Sequence, residues 1–237
     1  MSVEKNIAIS LLKLTQKGSA LIETINMDAH IPYAISKKLL QKMQNENLIY
    51  LKSDSVEVDS ASRLKLAIRA AALGADIENI SDLLGWQEFE EIAYLALKNN
   101  RYTVKKNVHF THERHRWEID VVGCNKPLVV CIDCKHWKRS IKPSALKKMV
   151  DAQIERTEAF ANSLPNPKLK HDCALWEKAK FVPVVISLVP CAYKFYYQVP
   201  IVPILQLQDF LTQLPAYTPE LKVISKNFSN LSHDFKN

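Results

Sequence analysis

The sequence predicts an α/β chain in two parts, a helical amino-terminal module and a carboxyl-terminal core whose elements run αβββαβ. Three observations carry that reading. The runs Trp117-Glu118-Ile119-Asp120-Val121-Val122 and Leu128-Val129-Val130-Cys131-Ile132-Asp133-Cys134-Lys135 are short, apolar and β-branched, and the turn-rich Gly123-Cys124-Asn125-Lys126-Pro127 joins them, so they read as a β-hairpin. After a helical pattern over residues 143–162, the run Phe181 to Leu188 is apolar enough for a buried strand. Upstream of residue 60 the apolar residues recur mainly at helical spacing.

The elements follow in order. Residues 3–16 carry Ile7, Ile9, Leu11, Leu12 and Leu14, enough for a helix ending near Gly18, and a second short helix spans about 19–26. Pro32, favoured in a first helical turn, opens a third helix to Asn45, with Ile35, Leu39, Leu40 and Met43 at helical spacing. Leu48–Leu51 and Val56–Val58 bracket a small hairpin around Lys52-Ser53-Asp54-Ser55, and an Ala-rich helix from Ser60 to Leu73 stops at Gly74. Gly18, Gly74, Gly85 and Gly123 all read as breaks. The core then reads helix 86–98, strands 101–110, 115–123 and 127–135, helix 143–162 and strand 181–188, with Pro183 pushing the start of that strand toward an edge or bulge. Tyr196–Leu205 suggests a further strand and Leu207–Leu211 a closing helix. The expected divisions are residues 1–58, a helical connector at 59–80, a core at 81–213 and a polar tail at 214–237.

At 237 residues the chain can bury one good core plus a small module. Hydrophobic residues at 47% with 24% charged exclude wholesale disorder, and no run approaches the ~18 apolar residues of a membrane span. The amino end leads into an amphipathic helix rather than a signal segment, so a cytoplasmic protein without a membrane partner is expected. The net charge of +7 favours a polyanionic partner. Lys135, Lys138, Arg139, Lys142, Lys147 and Lys148 form a stretch without an acid, and residues 98–116 add six more Lys/Arg against Glu113 alone. Both stretches flank the hairpin.

Alternation along a strand places Glu118 and Asp120 on one face, and Asp133 and Lys135 on one face of its partner. If the register aligns those faces, carboxylates and an ammonium converge in a strand pair whose Val121, Val129, Val130 and Ile132 suit a sheet covered on both sides. Such charges are rarely buried unless paired or bound to metal. Cys131-x-x-Cys134 invites a zinc or iron–sulfur reading, but an offset of three on a strand sends the side chains to opposite faces. The five cysteines are therefore expected to be reduced thiols.

The order of these residues resembles the PD-(D/E)xK nuclease superfamily, and within it the Mrr-like, restriction-endonuclease-like branch. The resemblance covers roughly residues 82–210 and falls on Asp120, Asp133 and Lys135, with Glu90 as the helix Glu before the hairpin and Gln153 as the helix Gln after the Lys. Ile119 replaces the signature Pro, and Thr157 stands where a Tyr often follows the Gln by four. The resemblance implies a restriction-endonuclease-like αβββαβ core with a central mixed sheet. It further implies a metal-dependent endonuclease on DNA, of restriction or repair and recombination type, using Mg²⁺ (or Mn²⁺). Its metal ligands would be Asp120, Asp133, the carbonyl of Cys134 and Glu90, with Glu90 or Glu118 completing a weaker second position. Lys135 would position or deprotonate the attacking water, or stabilise developing negative charge.

Three helices and a hairpin before residue 60 resemble a winged helix-turn-helix, with Lys37, Lys38 and Lys42 on its third helix and Lys52 in the wing as DNA contacts. Lys138, Arg139, Lys142, Lys147 and Lys148 would follow the phosphates beside the catalytic site. The alternative for the amino-terminal module is dimerisation or partner contact, and a homodimer is the expected assembly. The alternative for the whole chain is a non-catalytic DNA-binding regulator with a nuclease-like scaffold, and RNA is a further possible substrate.

Overall fold

The structure, a computed structural model, describes residues 2–135, 141–164, 172–187 and 191–228, and every statement below concerns those residues. The chain divides into two compact units, Met1–Glu91 and Ile92–Asn237. In the first, α1 (Val3–Leu14), α2 (Ile22–Ala29) and α3 (Tyr33–Asn45) accompany a small antiparallel sheet of β1 (Ala20–Leu21), β2 (Tyr50–Leu51) and β3 (Ser55–Glu57), in the order β1-β3-β2. Ile7, Leu11, Leu12, Ile25, Leu40 and Met43 are fully or almost fully buried, which explains the helical spacing of the apolar residues.

The first unit extends beyond the hairpin to take in α4 (Ser60–Ala72), α5 (Ile77–Leu83) and the start of α6 (Trp86–Asn99). Arg63 on α4 is the physical tie. Only 3% exposed, it donates to Glu88 Oε1 at 2.6 Å, Leu12 O at 2.8 Å, Thr15 Oγ1 at 2.9 Å and Leu83 O at 2.6 Å. A buried guanidinium is tolerated only when its donors are paired in this way. Asp59 caps α4, accepting from Ser62 N–H, and Gly74 ends it at φ +79°, a conformation that suits glycine.

In the second unit β4 (Thr103–His112), β5 (His115–Asn125) and β6 (Leu128–Lys135) form an antiparallel meander. α7 (Pro143–Ser163) then crosses to β7 (Lys178–Ser187), which pairs parallel with β6. β8 (Phe195–Tyr196) and β9 (Val199–Pro203) continue a mixed sheet in the order β4-β5-β6-β7-β9-β8, followed by α8 (Leu207–Tyr217) and β10 (Ile224–Asn227). Leu128 to Cys134 is buried throughout, as a central strand covered on both faces must be. On α7, Leu146, Val150, Gln153, Thr157 and Phe160 are all buried at helical spacing, so Gln153 and Thr157 are the polar members of an inward-facing stripe.

Four expectations are corrected. The segment expected as a polar tail contains the end of α8 and β10, which pairs with β7 as Ile224↔Phe181, while Phe228 is buried in the core with Phe160 and Phe181. Pro183 belongs to a central strand: β10 covers one flank of β7 at residues 178–181, β9 covers it at 185–187, and Pro183 falls between the two. A proline costs least where that flank has no ladder partner. Gly123, expected at the break after the strand, lies inside β5, which runs on to Asn125, and a Cβ there would come within 2.7 Å of Leu97 and 3.2 Å of Tyr102. On α3, Ile35, expected with the apolar residues, is 47% exposed, and it is Ser36 that is buried, bonded to Tyr33 O.

The charge divides unevenly. Residues 1–91 hold ten Lys/Arg against thirteen Asp/Glu, and residues 92–237 hold twenty-two against twelve, so the excess of +7 arises wholly in the second unit. No helix of the described residues is long and apolar enough to cross a membrane.

Candidate active site

The register Val121↔Ile132 aligns Asp120 on β5 with Asp133 on β6, where the ladder between these strands stops. Beyond that point the Cys134 N–H donates to Asp120 Oδ2 at 2.7 Å instead of to a strand partner. Asp133, on the face covered by α7, is 2% exposed. Its Oδ1 accepts from Lys135 Nζ at 2.9 Å and from an Arg156 guanidinium N–H at 2.7 Å. Lys135 Nζ also lies 2.9 Å from Oδ2, but it is aligned on Oδ1, and among the described residues buried Oδ2 has no hydrogen-bond partner.

Gln153 supports this group from beneath. Its Nε2 donates to Cys131 O at 2.7 Å and its Oε1 accepts from Arg156 at 2.8 Å. Arg156 has only donors, so the amide orientation is fixed: oxygen toward Arg156, nitrogen toward the strand carbonyls. Asp133, Arg156 and Gln153 thereby tie β6 to α7. Arg156 was absent from the sequence-based site. The available signal was its spacing of three from Gln153, which puts the two side by side on one helix.

Burial pushes the Asp120 carboxyl up to about 6; the Cys134 N–H, Lys135 and Arg156 oppose this, while the Asp133 charge adds to it. A raised carboxylic pKa means that the folded state holds its proton more tightly than the unfolded chain. Stability attributable to Asp120 therefore falls as pH rises from the ordinary 3.8 to about 6, and stays lower above that. Asp120→Asn is expected to abolish this component in the metal-free protein. Thermal melts of both proteins across that range test it: the wild type should lose stability relative to the variant as pH rises, and parallel curves would contradict the assignment.

The other expected residues lie as follows. Glu90 is 8% exposed, accepts from the Trp86 indole N–H and falls within the first unit. Glu118 is exposed on β5, with His109 Nδ1 of β4 at 3.9 Å. Among the described residues no group of three or more His, Cys, Asp or Glu is placed to hold a metal. Cys131 and Cys134 are both fully buried; Cys131 packs in the core beside Thr157, where burial pushes its thiol up. Lys142, Lys147 and Lys148 are exposed at the start of α7, whereas Lys138 and Arg139 lie outside the described residues. In the first unit Lys37 and Lys38 are exposed on α3, but Lys42 lies 3.4 Å from Glu4 and 3.8 Å from Glu46, and Lys52 pairs with Glu57 at 2.5 Å.

Two sequence comparisons bear on this site. A protein described as uncharacterized, from Archaeoglobus fulgidus, is 32% identical over 136 residues, which are 57% of this chain and 95% of that protein. The chain belongs to one family with this archaeal protein. The family described as nuclease-related domain matches residues 85–180, a span holding Asp120, Asp133, Lys135, Gln153 and Arg156. Among solved structures the chain is similar to protein VC1899 from Vibrio cholerae, at 13% identity and a TM-score of 0.41 over 92% of this chain and 52% of that one. It is also similar to Can2 from Sulfobacillus thermosulfidooxidans in complex with cyclic tetra-adenylate, at 14% identity and a TM-score of 0.40 over 90% and 50%. Restriction endonuclease FokI gives 15% identity and a TM-score of 0.39 over 98% and 46%. The chain spans about half the length of each of these structures.

The site's donors fit a hard divalent cation. Two carboxylates adjoin at a strand end, one holds its proton to about pH 6 and the other has a buried oxygen with no hydrogen bond among the described residues. Hard cations such as Mg²⁺ take oxygen ligands, commonly one or two carboxylates together with substrate phosphate.

Proposed function

We propose that the protein is a divalent-metal-dependent nuclease of the PD-(D/E)xK superfamily, cutting phosphodiester bonds in DNA. The observation that supports it most strongly is the convergence of Asp120, Asp133, Lys135 and Arg156 at the paired ends of β5 and β6. Asp120 and Asp133 would hold Mg²⁺ or Mn²⁺, with the Cys134 carbonyl a third oxygen donor. When bound, the ion would neutralise charge at the scissile phosphate and lower the pKa of a water. Lys135 directs its ammonium hydrogens into the site and places positive charge where the phosphate develops negative charge. Arg156 holds Asp133 in orientation, and Gln153 holds Arg156, so both are positioning residues. The similarity of residues 85–180 to a nuclease-related domain supports the reading, and Gln153 in the helix slot supports the Mrr-like branch.

Substrate phosphates would lie along the start of α7. That end carries Lys142, Lys147 and Lys148 and no acid in its first turn, and a helix N-terminus itself attracts anions. We read the first unit as a winged helix whose role in duplex binding is secondary, since it is net acidic, with ten Lys/Arg against thirteen Asp/Glu. Its exposed Leu21, Met27 and Tyr33, beside Glu23 and Asp54, favour a partner-docking role for that module.

Purified protein incubated with supercoiled, linear, single-stranded and branched DNA, and with RNA, each with Mg²⁺, Mn²⁺ or EDTA, tests the proposal. Cleavage of DNA with either metal and none in EDTA is expected. Absence of cleavage from every metal-containing reaction, with DNA binding retained, would favour the non-catalytic regulator.

A further inference from the structure

The second unit carries an aromatic surface that the catalytic cluster does not use. Tyr193, Tyr196 and Tyr197 are in edge contact, with ring centroids 5.8 Å apart for the first pair and 4.7 Å for the second. Tyr193 is 41% and Tyr197 60% exposed. Lys147 of α7 sets its Nζ 5.7 Å from the Tyr197 ring centroid and pairs with Asp151 at 2.6 Å.

The backbone that presents Tyr197 is strained. β8 and β9 pair as Tyr196↔Val199, leaving Tyr197 and Gln198 as a two-residue hairpin turn with φ of 47° and 62°. Such a turn suits Asn-Gly or Gly-Gly, and a left-handed conformation is unfavourable for a bulky residue. The turn is pinned by Lys222 N–H, which donates to Gln198 O at 2.9 Å. A costly conformation that holds a large aromatic ring in solvent, beside a lysine, is unfavourable for folding alone.

We propose that Tyr193, Tyr196 and Tyr197, with Lys147, form a stacking surface for the unpaired bases of single-stranded nucleic acid leading to the active site. Exposed rings accept the face of any base, whereas a duplex hides its base faces, and neighbouring lysines draw the phosphates. The charge on the page supports this occupant: Lys142 and Lys148 flank Lys147, and the unit carries twenty-two Lys/Arg against twelve Asp/Glu. Tyr196 packs against the cluster of Leu146, Val150 and Val185, and Val185 on β7 is the register partner of Asp133 on β6. The aromatic surface therefore adjoins the catalytic cluster on the face of the sheet that α7 covers. The proposal deepens the nuclease reading by naming single-stranded segments as substrate, and rests on it for that chemistry.

Tyr197→Gly is the informative variant, because glycine relieves the left-handed strain while deleting the ring. The full chain, in EDTA so that cleavage plays no part, is titrated with a short labelled single strand and with the matching duplex, and its melting temperature is recorded. Tyr197→Gly is expected to melt no lower than wild type, to bind the single strand about tenfold or more weakly, and to leave duplex affinity within about twofold. Tyr197→Trp should keep single-strand affinity and Tyr197→Leu should not. Equal single-strand affinities among these proteins, equal losses on both substrates, or no single-strand binding by the wild type would each overturn the proposal. Failure of the cleavage panel leaves this binding result standing, and failure here leaves the cleavage result standing.

Discussion

Asp133→Asn and Asp120→Asn are each expected to reduce DNA cleavage roughly a thousandfold or more, the rate equivalent of about 4 kcal/mol lost from a metal-stabilised transition state, while changing stability in opposite directions. Asp133 accepts from both Lys135 and Arg156 from an almost fully buried position, so its amide leaves two cations with half of their partner. Breaking such a pair from one side is destabilising. Asp120 accepts only one backbone N–H among its described hydrogen bonds, and its charge is disfavoured by burial and by Asp133. Its amide can keep the Cys134 bond through its oxygen and removes the unfavourable charge. Near neutral pH and without metal, Asp133→Asn should melt below wild type and Asp120→Asn at or above it. Cleavage rates and thermal melts of the two variants check both halves; a variant within about threefold of wild-type rate would remove its carboxylate from the site.

Lys135→Met is expected to lose about 10²–10⁴ in rate, the range for removing a positioned proton donor or acceptor. The substitution that separates its roles is Lys135→Arg. Lys135 donates to Asp133 at 2.9 Å, which makes it a held cation in this site. A guanidinium stays charged but cannot act as a base. Lys135→Arg should therefore retain at least about ten times the activity of Lys135→Met, measured under single-turnover conditions. Equal rates for the two variants would assign Lys135 to proton abstraction instead.

Much of the site was legible because the periods of strands and helices are rigid. Alternation put Asp133 and Lys135 on one face of β6 and Glu118 and Asp120 on one face of β5, while their convergence depended on a register that alternation does not fix; the pairing Val121↔Ile132 brings Asp120 opposite Asp133. The same logic separated Cys131 from Cys134. Gln153 was legible as a helix position, and its burial follows from the stripe it shares with Val150 and Thr157. Arg156 was not, because its role depends on how far α7 stands from β6, a tertiary distance that no local pattern encodes.

The same limit explains the fold-level differences. Ile224–Asn227 is a polar four-residue strand whose sheet partner lies more than forty residues upstream, so it carries little signal of its own. The Ser60–Ala72 helix read as a connector because its apolar face could not reveal that Arg63 would be buried among carbonyls of the first unit. Gly123 read as a break because glycine usually marks one; its cause is the close approach of Leu97 of α6 to the strand.

Asp120 and Asp133 together are proposed to form a divalent-cation site. Calorimetric titration of Mn²⁺ into the metal-free full chain tests it directly, in wild type and in both Asn variants, near neutral pH and again well below the Asp120 pKa of about 6. Saturable binding of Mn²⁺ by the wild type is predicted, weakened at the lower pH where Asp120 holds its proton and lost in either variant. Binding that persists unchanged in Asp120→Asn and Asp133→Asn, or no binding by the wild type at either pH, would contradict it.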